Sequence, residues 1–526
     1  SILGLQVVAR AKRRGLEITP RQVFSAPTVA ELAALAADAT PGQPVAARRP
    51  APGPVPLTPI QAWFFSRPVP DRHHWNQAVL LQVAEALDPS VLAAALAVLL
   101  AHHEALSLRF TEEHAGWQAS YAPAAGPPPA SVVDLSALPP ELAGAALRRI
   151  APGVQASLDL HRGPLLRAVL LRWPAGGADR LLLVAHHLVM DAVSWRILLE
   201  DLEDAVQQLA AGRTCILPSP STSFPEWARR LSLHAAAPEL AAELSYWLAA
   251  ARRLPTPLPL DGDGGANLAG GARSLHTRLG EAETRDLLQE APKNLHADLL
   301  QLLLCALARA FATWTGSPRL LVDLEGHGRE PLWSDVDLSR TVGWFTSLFP
   351  LLLELPPDGD ELAALRRVKE QAQGCPGHGL GYGQLRFLPG APPAGRDLAA
   401  LPQAEVKLLY LGQMDRALPA ATRFSEAPED VGPTVSPCAP RSHLLDVTAR
   451  VYGGELHVAW TYGERLHDRR TISNLAAALL DELRTLARRA RAPAPDVYTP
   501  GDFPQAGLDA EELGDLMAQL QAGEGD

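Results

Sequence analysis

An apolar segment that ends in two adjacent histidines constrains this chain more than any other feature. Residues 181–185 have the pattern of a buried β-strand and lead directly into His186 and His187. Adjacent side chains at a strand end point to opposite faces, so we expect one imidazole to face a cavity and the other, His186, to pack inward. A helix is predicted to start near Ser194, a favourable N-cap residue. A neutral imidazole in that position is a proton acceptor near neutral pH.

Two interpretations of the histidine pair are open from these residues alone. A bare His-His pair would favour two histidines that only pack the core. The full pattern is more specific, because Asp191 follows the second histidine at +4 and Ser194 and Trp195 follow it at +7 and +8. This pattern favours a functional site at His187.

The rest of the body mixes predicted strands and helices without strict alternation. No GxGxxG turn follows a predicted strand, so a mixed α/β fold is favoured over a Rossmann sheet. The segments with strand patterns are 78–83, 165–172, 181–185, 320–324 and 444–452. The segments with helix patterns are 89–103, 139–150, 194–209, 239–252, 298–314 and 472–489.

Clusters of proline and glycine divide the chain into predicted parts. Residues 41–56 have the Pro- and Ala-rich composition of a semi-stiff linker, and clusters near 214–223 and 255–265 indicate two lobes in the body. Before the linker, Thr28 and Glu31 have the spacing of a helix capping box. The predicted parts are N-terminal helices at 1–40, a linker at 41–56, an N-terminal lobe at 57–225, a C-terminal lobe at 226–491 and a tail with an acidic helix at 492–526.

Composition excludes several classes of function. The formal net charge of −11 argues against a nucleic-acid partner, which requires a basic surface. The four cysteines form no CxxC pair, so we expect no metal site and no disulfide framework, and their usage fits a cytoplasmic protein. We find no signal-peptide layout and no apolar run of the roughly eighteen residues that a membrane span needs. The chain begins at Ser1 without Met, as expected of a piece of a longer protein.

The histidine pattern, HHxxxDxxSW, resembles the signature of the condensation-domain superfamily of nonribosomal peptide synthetases. Its Ser-Trp ending is typical of the epimerization domains in that superfamily. Further segments resemble the family's motifs in the family's order, over about residues 57–491. They are PIQAWF at 59–64, HEALSLRF at 103–110, EGHGRE at 325–330, RTVGWFT at 340–346, PGHGLGYG at 376–383 and YLGQ at 410–413.

The resemblance implies a fold of two chloramphenicol-acetyltransferase-like lobes in a V, with a tunnel that admits the 4'-phosphopantetheine arm of a carrier domain. It also implies inversion, from L to D, at the α-carbon of an aminoacyl or peptidyl thioester on that arm. Inversion requires acid/base groups on both faces of the carbon, or one such group with a relayed water. The family pattern assigns His187 to one face and Glu325 to the other. Tyr410 is a candidate hydroxyl near the enolate.

The resemblance also indicates residues that support the site. Asp191 is expected to pair with a basic residue and hold the histidine loop, while Ser194 and Trp195 cap and anchor the following helix. His327 either lines the site or packs. The alternative role for Glu325 is a structural ion pair with Arg329, four residues on. The sequence departs from the family at Leu408 and Leu409, where Phe and Asn are usual, and at Ala192, where Gly is usual.

Residues 1–37 resemble the second half of a peptidyl carrier domain. GLEITPRQVFSAPTVAELA matches the third and fourth carrier helices, and Ser1 would then be the phosphopantetheine attachment site. The implied partners are a carrier with its thioester and neighbouring adenylation and condensation domains. Apart from the carrier's 4'-phosphopantetheine, no cofactor, no metal and no pyridoxal phosphate is implied. The acidic tail either docks to another synthetase or only solubilises the chain.

Two alternatives to epimerization are kept. The first is a condensation domain that forms peptide bonds between two carriers. The second is a catalytically degenerate module that only docks carriers, an idea that Leu409 favours.

Overall fold

A computed structural model describes most of the chain between residues 4 and 523. The described residues are 4, 7–8, 10–11, 14–16, 18, 22–23, 26, 28–38, 52–114, 116–121, 129–218, 221–250, 256–262, 264–357, 360–413, 422–492, 497–503 and 506–523. Ser1 and most of the predicted linker at 41–56 lie outside them, so the predictions made there stay untested. The capping box predicted from Thr28 and Glu31 is confirmed, because Glu31 N donates to Thr28 Oγ1 (3.2 Å) and Thr28 N donates to Glu31 Oε2 (3.0 Å).

Helices and strands occur throughout the described residues. The α-helices are α1 (Val29–Asp38), α2 (Pro59–Ser66), α3 (Pro89–His102), α4 (Pro140–Gln155), α5 (Ala192–Ala210), α6 (Phe224–His234), α7 (Pro238–Ala242), α8 (Leu244–Ala250), α9 (Glu281–Arg285), α10 (Ala291–Asn294), α11 (Leu299–Thr315), α12 (Glu361–Gln373), α13 (Leu380–Phe387), α14 (Arg469–Arg489) and α15 (Ala510–Gly523). The strands are β1 (Gly53–Val55), β2 (Asn76–Val83), β3 (Leu108–Glu113), β4 (Gly116–Tyr121), β5 (Ala130–Asp134), β6 (Leu166–Arg172), β7 (Asp179–His186), β8 (Ala272–Leu279), β9 (Arg319–Gly326), β10 (Ser347–Glu354), β11 (Val406–Gln413), β12 (Phe424–Glu426), β13 (Leu445–Tyr452) and β14 (Glu455–Gly463).

The strands form two large sheets and one small one. The first large sheet has the order β12-β2-β7-β6-β5, the second has the order β10-β9-β11-β13-β14-β8, and β1-β4-β3 form the small sheet. Both large sheets are mixed: β5 is parallel to β6, and β11 is parallel to both β9 and β13. The predicted mixed α/β class is confirmed.

The second sheet has one apolar and one polar face. Along β13, Leu445, Val447, Ala449 and Val451 are buried in a core that includes residues of α11 and α14, while the alternate positions are more open. This two-residue alternation is typical of a sheet with one covered face. The opposite face presents charged side chains from three neighbouring strands, namely Asp323, Glu325, Lys407 and Asp446.

The first sheet is completed by parts of the chain that come much later. Strand β12 pairs antiparallel with β2, with Phe424 opposite Val83. Trp227 of α6 and Trp344, which follows β9, are buried in the core of this sheet. The lobe boundary placed at 225 and 226 from the sequence stays a prediction, and elements beyond it pack against the first sheet.

One described helix pair meets length and composition criteria for crossing a membrane. No single described helix is long and apolar enough to do so, but Glu281–Asn294 and Leu299–Thr315 pass together, with a bend of 104° between them. Leu302, Phe311 and most other apolar residues of α11 are buried in the second core.

The first part of the predicted tail packs on the second lobe. Lys369 of α12 is fully buried, and its Nζ contacts Asp502 Oδ2 at 2.9 Å and Val497 O at 3.0 Å. Residues 497–503 are therefore held by an ion pair between a buried lysine and a partly exposed aspartate.

Replacing Lys369 by methionine is expected to lower the free energy of unfolding by about 1.5–3 kcal/mol, because the variant removes the charged donor to the partly exposed Asp502 carboxylate and to Val497 O. Urea unfolding followed by circular dichroism measures this change. Lys293→Met is the control, since that exposed lysine has a similar 3.1 Å contact to Glu290. Equal unfolding midpoints for the two variants would show that the ion pair does not hold the tail.

Candidate active site

A cavity of about 1430 Å³ lies between the two large sheets. Its walls come from β2 and the loop after β7 on one side and from β9, β10 and β11 on the other. Leucine side chains make up much of the lining, including Leu288, Leu299 and Leu300. His187, Glu325 and Tyr410 all line this one cavity, and Tyr410, on the face of β11 opposite to Leu409, also packs against the second core.

The two histidines at the end of β7 face opposite ways, as predicted. The His186 side chain is fully buried; its Nε2 donates to Arg72 O (2.8 Å) and its Nδ1 accepts from Leu188 N (3.1 Å). Burial lowers the pKa of His186 to about 3, so this ring is a neutral structural group. His187 instead opens to the cavity.

Hydrogen bonds fix the tautomer of His187. Its Nδ1 lies 2.7 Å from Met190 O, and a carbonyl can only accept, so Nδ1 carries the proton. Its Nε2 lies 3.0 Å from Gln77 Nε2, an amide donor, and therefore presents its lone pair. Burial lowers the pKa of His187, and the Glu325 carboxylate is the largest opposing influence. The ring is a neutral base whose unprotonated nitrogen is Nε2, which accepts from the Gln77 amide.

Asp191 holds the loop after His187, as expected, and its basic partner is Arg329. The Arg329 Nη2 lies 3.1 Å from Asp191 Oδ1, and neither side chain is more than 7% exposed. Arg329 also donates through Nη1 to Leu338 O (2.9 Å) and Thr341 O (2.7 Å). This contact joins the histidine loop to the segment that follows β9.

The predicted helix start near Ser194 is wrong by two residues, because α5 starts at Ala192 and its N-cap is Asp191. The Asp191 carboxylate accepts from Ser194 N at 2.7 Å. The Ser194 hydroxyl has other partners: it donates to Gly343 O (2.9 Å) and accepts from Gly343 N (3.1 Å) and from Arg329. Ser194 therefore supports the site by joining two segments, while Trp195 anchors α5 in the first core as expected.

Other motif segments meet at the same place. Gln61 of α2 donates to Leu188 O at 2.9 Å and so braces the histidine loop. The Trp344 ring lies 4.3 Å from the His187 ring, centroid to centroid. Gly328 has φ 63°, and a Cβ there would lie 1.7 Å from Phe345 O, so the turn after β9 requires glycine.

Glu325 is the penultimate residue of β9 and has a partner that sequence reasoning missed. Its Oε2 lies 3.1 Å from Lys407 Nζ on the neighbouring strand β11. The alternative pairing with Arg329 is wrong, because Arg329 is bound to Asp191. A contact between residues four apart belongs to helices, whereas Glu325 lies on an extended strand.

His327 and Tyr410 also line the cavity. His327 does more than line it, because its Nδ1 accepts from Arg329 N (3.0 Å) and shapes the turn. Burial lowers the pKa of His327, and Glu330 opposes this. Burial, with a smaller effect of Asp298, raises the pKa of Tyr410 to about 12, so its hydroxyl stays a hydrogen-bond donor.

Two of the three positions that depart from the family pattern lie at the cavity, while the third, Leu408, is buried in the second core. Leu409 and Ala192 both line the cavity, and Leu409 lies opposite Glu325 in the pairing of β11 with β9. Sequence reasoning missed Gln77 and Lys407. A signal for Lys407 exists, since it is a single charge within an apolar strand and one of four lysines among 47 basic residues.

One cluster of possible metal ligands occurs among the described residues, away from this cavity. It comprises His102, His103 and Asp201. Asp201 contacts His103 Nε2 at 3.0 Å and also pairs with Arg340, which puts a permanent cation where an ion would bind. The cluster is accounted for as a structural ion pair.

Comparisons with known proteins agree with this architecture. The sequence profile of the family described as "Condensation domain" matches residues 52–508. A linear gramicidin synthase polypeptide from Brevibacillus parabrevis is 42% identical over 522 residues, which are 99% of this chain and 10% of that protein. Chondramide synthase from Chondromyces crocatus is 40% identical over 528 residues, which are 99% of this chain and 13% of that protein. The chain thus spans about a tenth of the length of these curated relatives.

Solved structures share the fold. The epimerization domain from the third module of tyrocidine synthetase B has a TM-score of 0.76 at 31% identity, covering 84% of this chain and 97% of that one. The first condensation domain of the CDA synthetase has a TM-score of 0.63 at 20% identity, covering 84% and 97%. The predicted fold of chloramphenicol-acetyltransferase-like lobes is confirmed. With its sequence profile matched over most of its length, the chain belongs to the condensation-domain family.

Proposed function

We propose that this chain epimerizes, from L to D, the α-carbon of an aminoacyl or peptidyl thioester carried on the phosphopantetheine arm of a carrier domain. The observation that carries the proposal is the pair of titratable groups at one cavity, His187 from the first sheet and Glu325 from the second. The similarity to a solved epimerization domain supports it. A condensation reaction would have no evident use for the second group.

Inversion at the α-carbon requires two balanced proton transfers. A base takes the α-proton, and the C–H electron pair delocalises onto the thioester carbonyl as an enolate. An acid on the other face then donates a proton to the same carbon, so no electrons enter or leave the substrate. His187 Nε2 and the Glu325 carboxylate are the two groups, and each positioned group typically contributes ~10²–10⁴-fold. The Tyr410 hydroxyl is a candidate donor to the enolate oxygen.

The proposed partners follow from the size of the relatives. A chain that spans about a tenth of its relatives is proposed to work inside a nonribosomal peptide synthetase, with adenylation and condensation domains beside it. The cavity volume and its leucine lining suit a pantetheine chain with an apolar acyl group. The phosphopantetheine is proposed to be supplied by the carrier domain.

Deuterium wash-in tests the proposal directly. L-leucyl pantetheine thioester is incubated with the protein in D₂O, and the released leucine is analysed by mass spectrometry after chiral separation. Deuterium at Cα together with D-leucine is expected. Amide formation with an added amine acceptor and no deuterium would favour the condensation alternative. If neither deuterium incorporation nor amide formation occurs, and a carrier domain still binds the protein, the degenerate docking module would be favoured.

Glu325→Gln is expected to reduce deuterium exchange by about 10²–10⁴-fold, because the amide has nearly the same shape but cannot accept the proton. The unfolding midpoint should stay close to that of the unmodified protein. Glu354→Gln is the matched control, since Glu354 lies at the end of β10 and pairs with Arg319 away from the cavity. Full deuterium exchange in the Glu325 variant would show that this carboxylate takes no part in the reaction.

A further inference from the structure

Lys407 is placed to control the charge of the candidate active site. Its Nζ lies 3.1 Å from Glu325 Oε2 and 3.6 Å from Asp446 Oδ1, so the ammonium is held between two carboxylates from the strands on either side of β11. Of the described residues that line the cavity, Lys407 is the only lysine or arginine. On the polar face of the second sheet it lies beside Asp323, Glu325 and Asp446.

Reaction in this cavity moves negative charge from the base onto the substrate. Loss of the α-proton creates an enolate, and the lining already contains the carboxylates of Asp298, Glu325 and Glu330. Asp191 also lines it but is paired with Arg329. A single fixed cation beside Glu325 therefore sets the local balance of charge, and it does so in a partly desolvated site where charges interact strongly.

We propose that Lys407 is a positioning residue that holds Glu325 as an oriented carboxylate and sets the proton affinity of the His187–Glu325 pair. This inference rests on the proposed function and deepens it. When His187 and Glu325 hold one proton between them, the Lys407 ammonium beside the carboxylate favours the form with that proton on the imidazole. In that state, which adds a proton at Nε2 to the neutral ring described above, Glu325 takes the α-proton from one face and the His187 imidazolium donates its Nε2 proton to the other.

The surrounding groups agree with a stable ammonium at this position. Burial alone would lower the pKa of Lys407, yet Glu325 and Asp446 raise it above its usual value. Burial would likewise raise the pKa of Asp446, but Lys407, Arg441 and His443 lower it. The remaining neighbour is Asp323 of β9, whose Oδ2 lies 2.8 Å from His443 Nε2.

Fewer charged groups lie near His187 than near Lys407. They are Glu325 from β9 and Asp191 from its own loop, while the neighbouring His186 ring is neutral. Since Glu325 is the main group that raises the pKa of His187, any cation that offsets Glu325 acts on the imidazole through it.

The test compares the pH dependence of deuterium exchange in the unmodified protein, Lys407→Met and Lys407→Arg. Removal of one positive charge makes the remaining groups hold protons more tightly, so we expect both limbs of the profile of Lys407→Met to move up by about 0.5–1 pH unit. Lys407→Arg keeps the charge and should restore the original profile. Lys293→Met, with its exposed 3.1 Å contact to Glu290, should leave the profile unchanged.

A second measurement does not depend on activity. The His187 ring is titrated by NMR of histidine-labelled protein and assigned with the His187→Ala variant. One outcome is an upward shift of the His187 pKa in Lys407→Met together with no deuterium wash-in by the unmodified protein. It would support the proposed role of Lys407 and overturn the epimerase proposal. An unchanged pKa with an unchanged pH profile would overturn the role of Lys407, whatever the activity. Lys407→Gln, which keeps a donor to Glu325 but no charge, gives the same comparison if the methionine variant does not fold.

Discussion

Replacing His187 by alanine is expected to reduce deuterium exchange at the α-carbon by about 10²–10⁴-fold. The variant removes the Nε2 lone pair at the cavity. The fold should persist, because the side chain is partly open to the cavity and its loop is held independently by Asp191 and Gln61. Urea unfolding beside the exchange assay separates lost chemistry from lost structure.

The matched control for His187→Ala is His276→Ala, since His276 is an exposed histidine on β8. Imidazole added to the His187 variant gives a second check, because the cavity is large enough to admit it. Exchange that is unaffected by the His187 substitution would contradict the acid/base role and favour a module that only docks carriers.

Replacing Arg329 by methionine is expected to lower the free energy of unfolding by about 3–5 kcal/mol, since it leaves the buried Asp191 carboxylate without its ion-pair partner. Arg329 also satisfies the carbonyls of Leu338 and Thr341, so the segment after β9 loses its attachment to the histidine loop. The change is measured as a shift of the urea midpoint, together with loss of exchange activity.

Two further variants show whether the Arg329 effect comes from the unpaired charge. Arg329→Met combined with Asp191→Asn should recover part of the lost stability, because the uncompensated carboxylate is gone. Arg319→Met removes an exposed arginine at the other end of β9 and should change stability by only ~0–1 kcal/mol. If the Arg329 and Arg319 variants unfold at the same urea concentration, the buried ion pair does not organise the loop.

Local sequence patterns predicted the strand, the two histidines and the helix that follows them, because each of these features depends on residues that are close in sequence. The apolar run of β7, the opposite directions of adjacent side chains and the capping of α5 all act within a few residues. The helix start was displaced by two residues because the Asp191 carboxylate takes the cap that was expected of Ser194. The Ser194 hydroxyl instead binds Gly343, 149 residues away, which no local rule predicts.

The charge partners of the site could not be predicted from spacing. Glu325 is paired with Lys407, 82 residues later, because β11 inserts between β9 and β13 with a parallel register. Asp191 is paired with Arg329, 138 residues later. Such pairs depend on strand order and register, which a single sequence does not reveal, whereas the alternative pairing of Glu325 with Arg329 rests on spacing alone.

Strand β12 restricts how a tethered ligand can enter the cavity. It comes from the second half of the chain but lies at the edge of the first sheet, and adjacent residues are anchored there by Arg423 to Glu203 and by Glu429 to Arg180. A hinge motion that separated the two halves would break this strand pairing and both charged contacts at once. Under the proposed function, the arm of a carrier would therefore reach the cavity while β12 stays paired with β2.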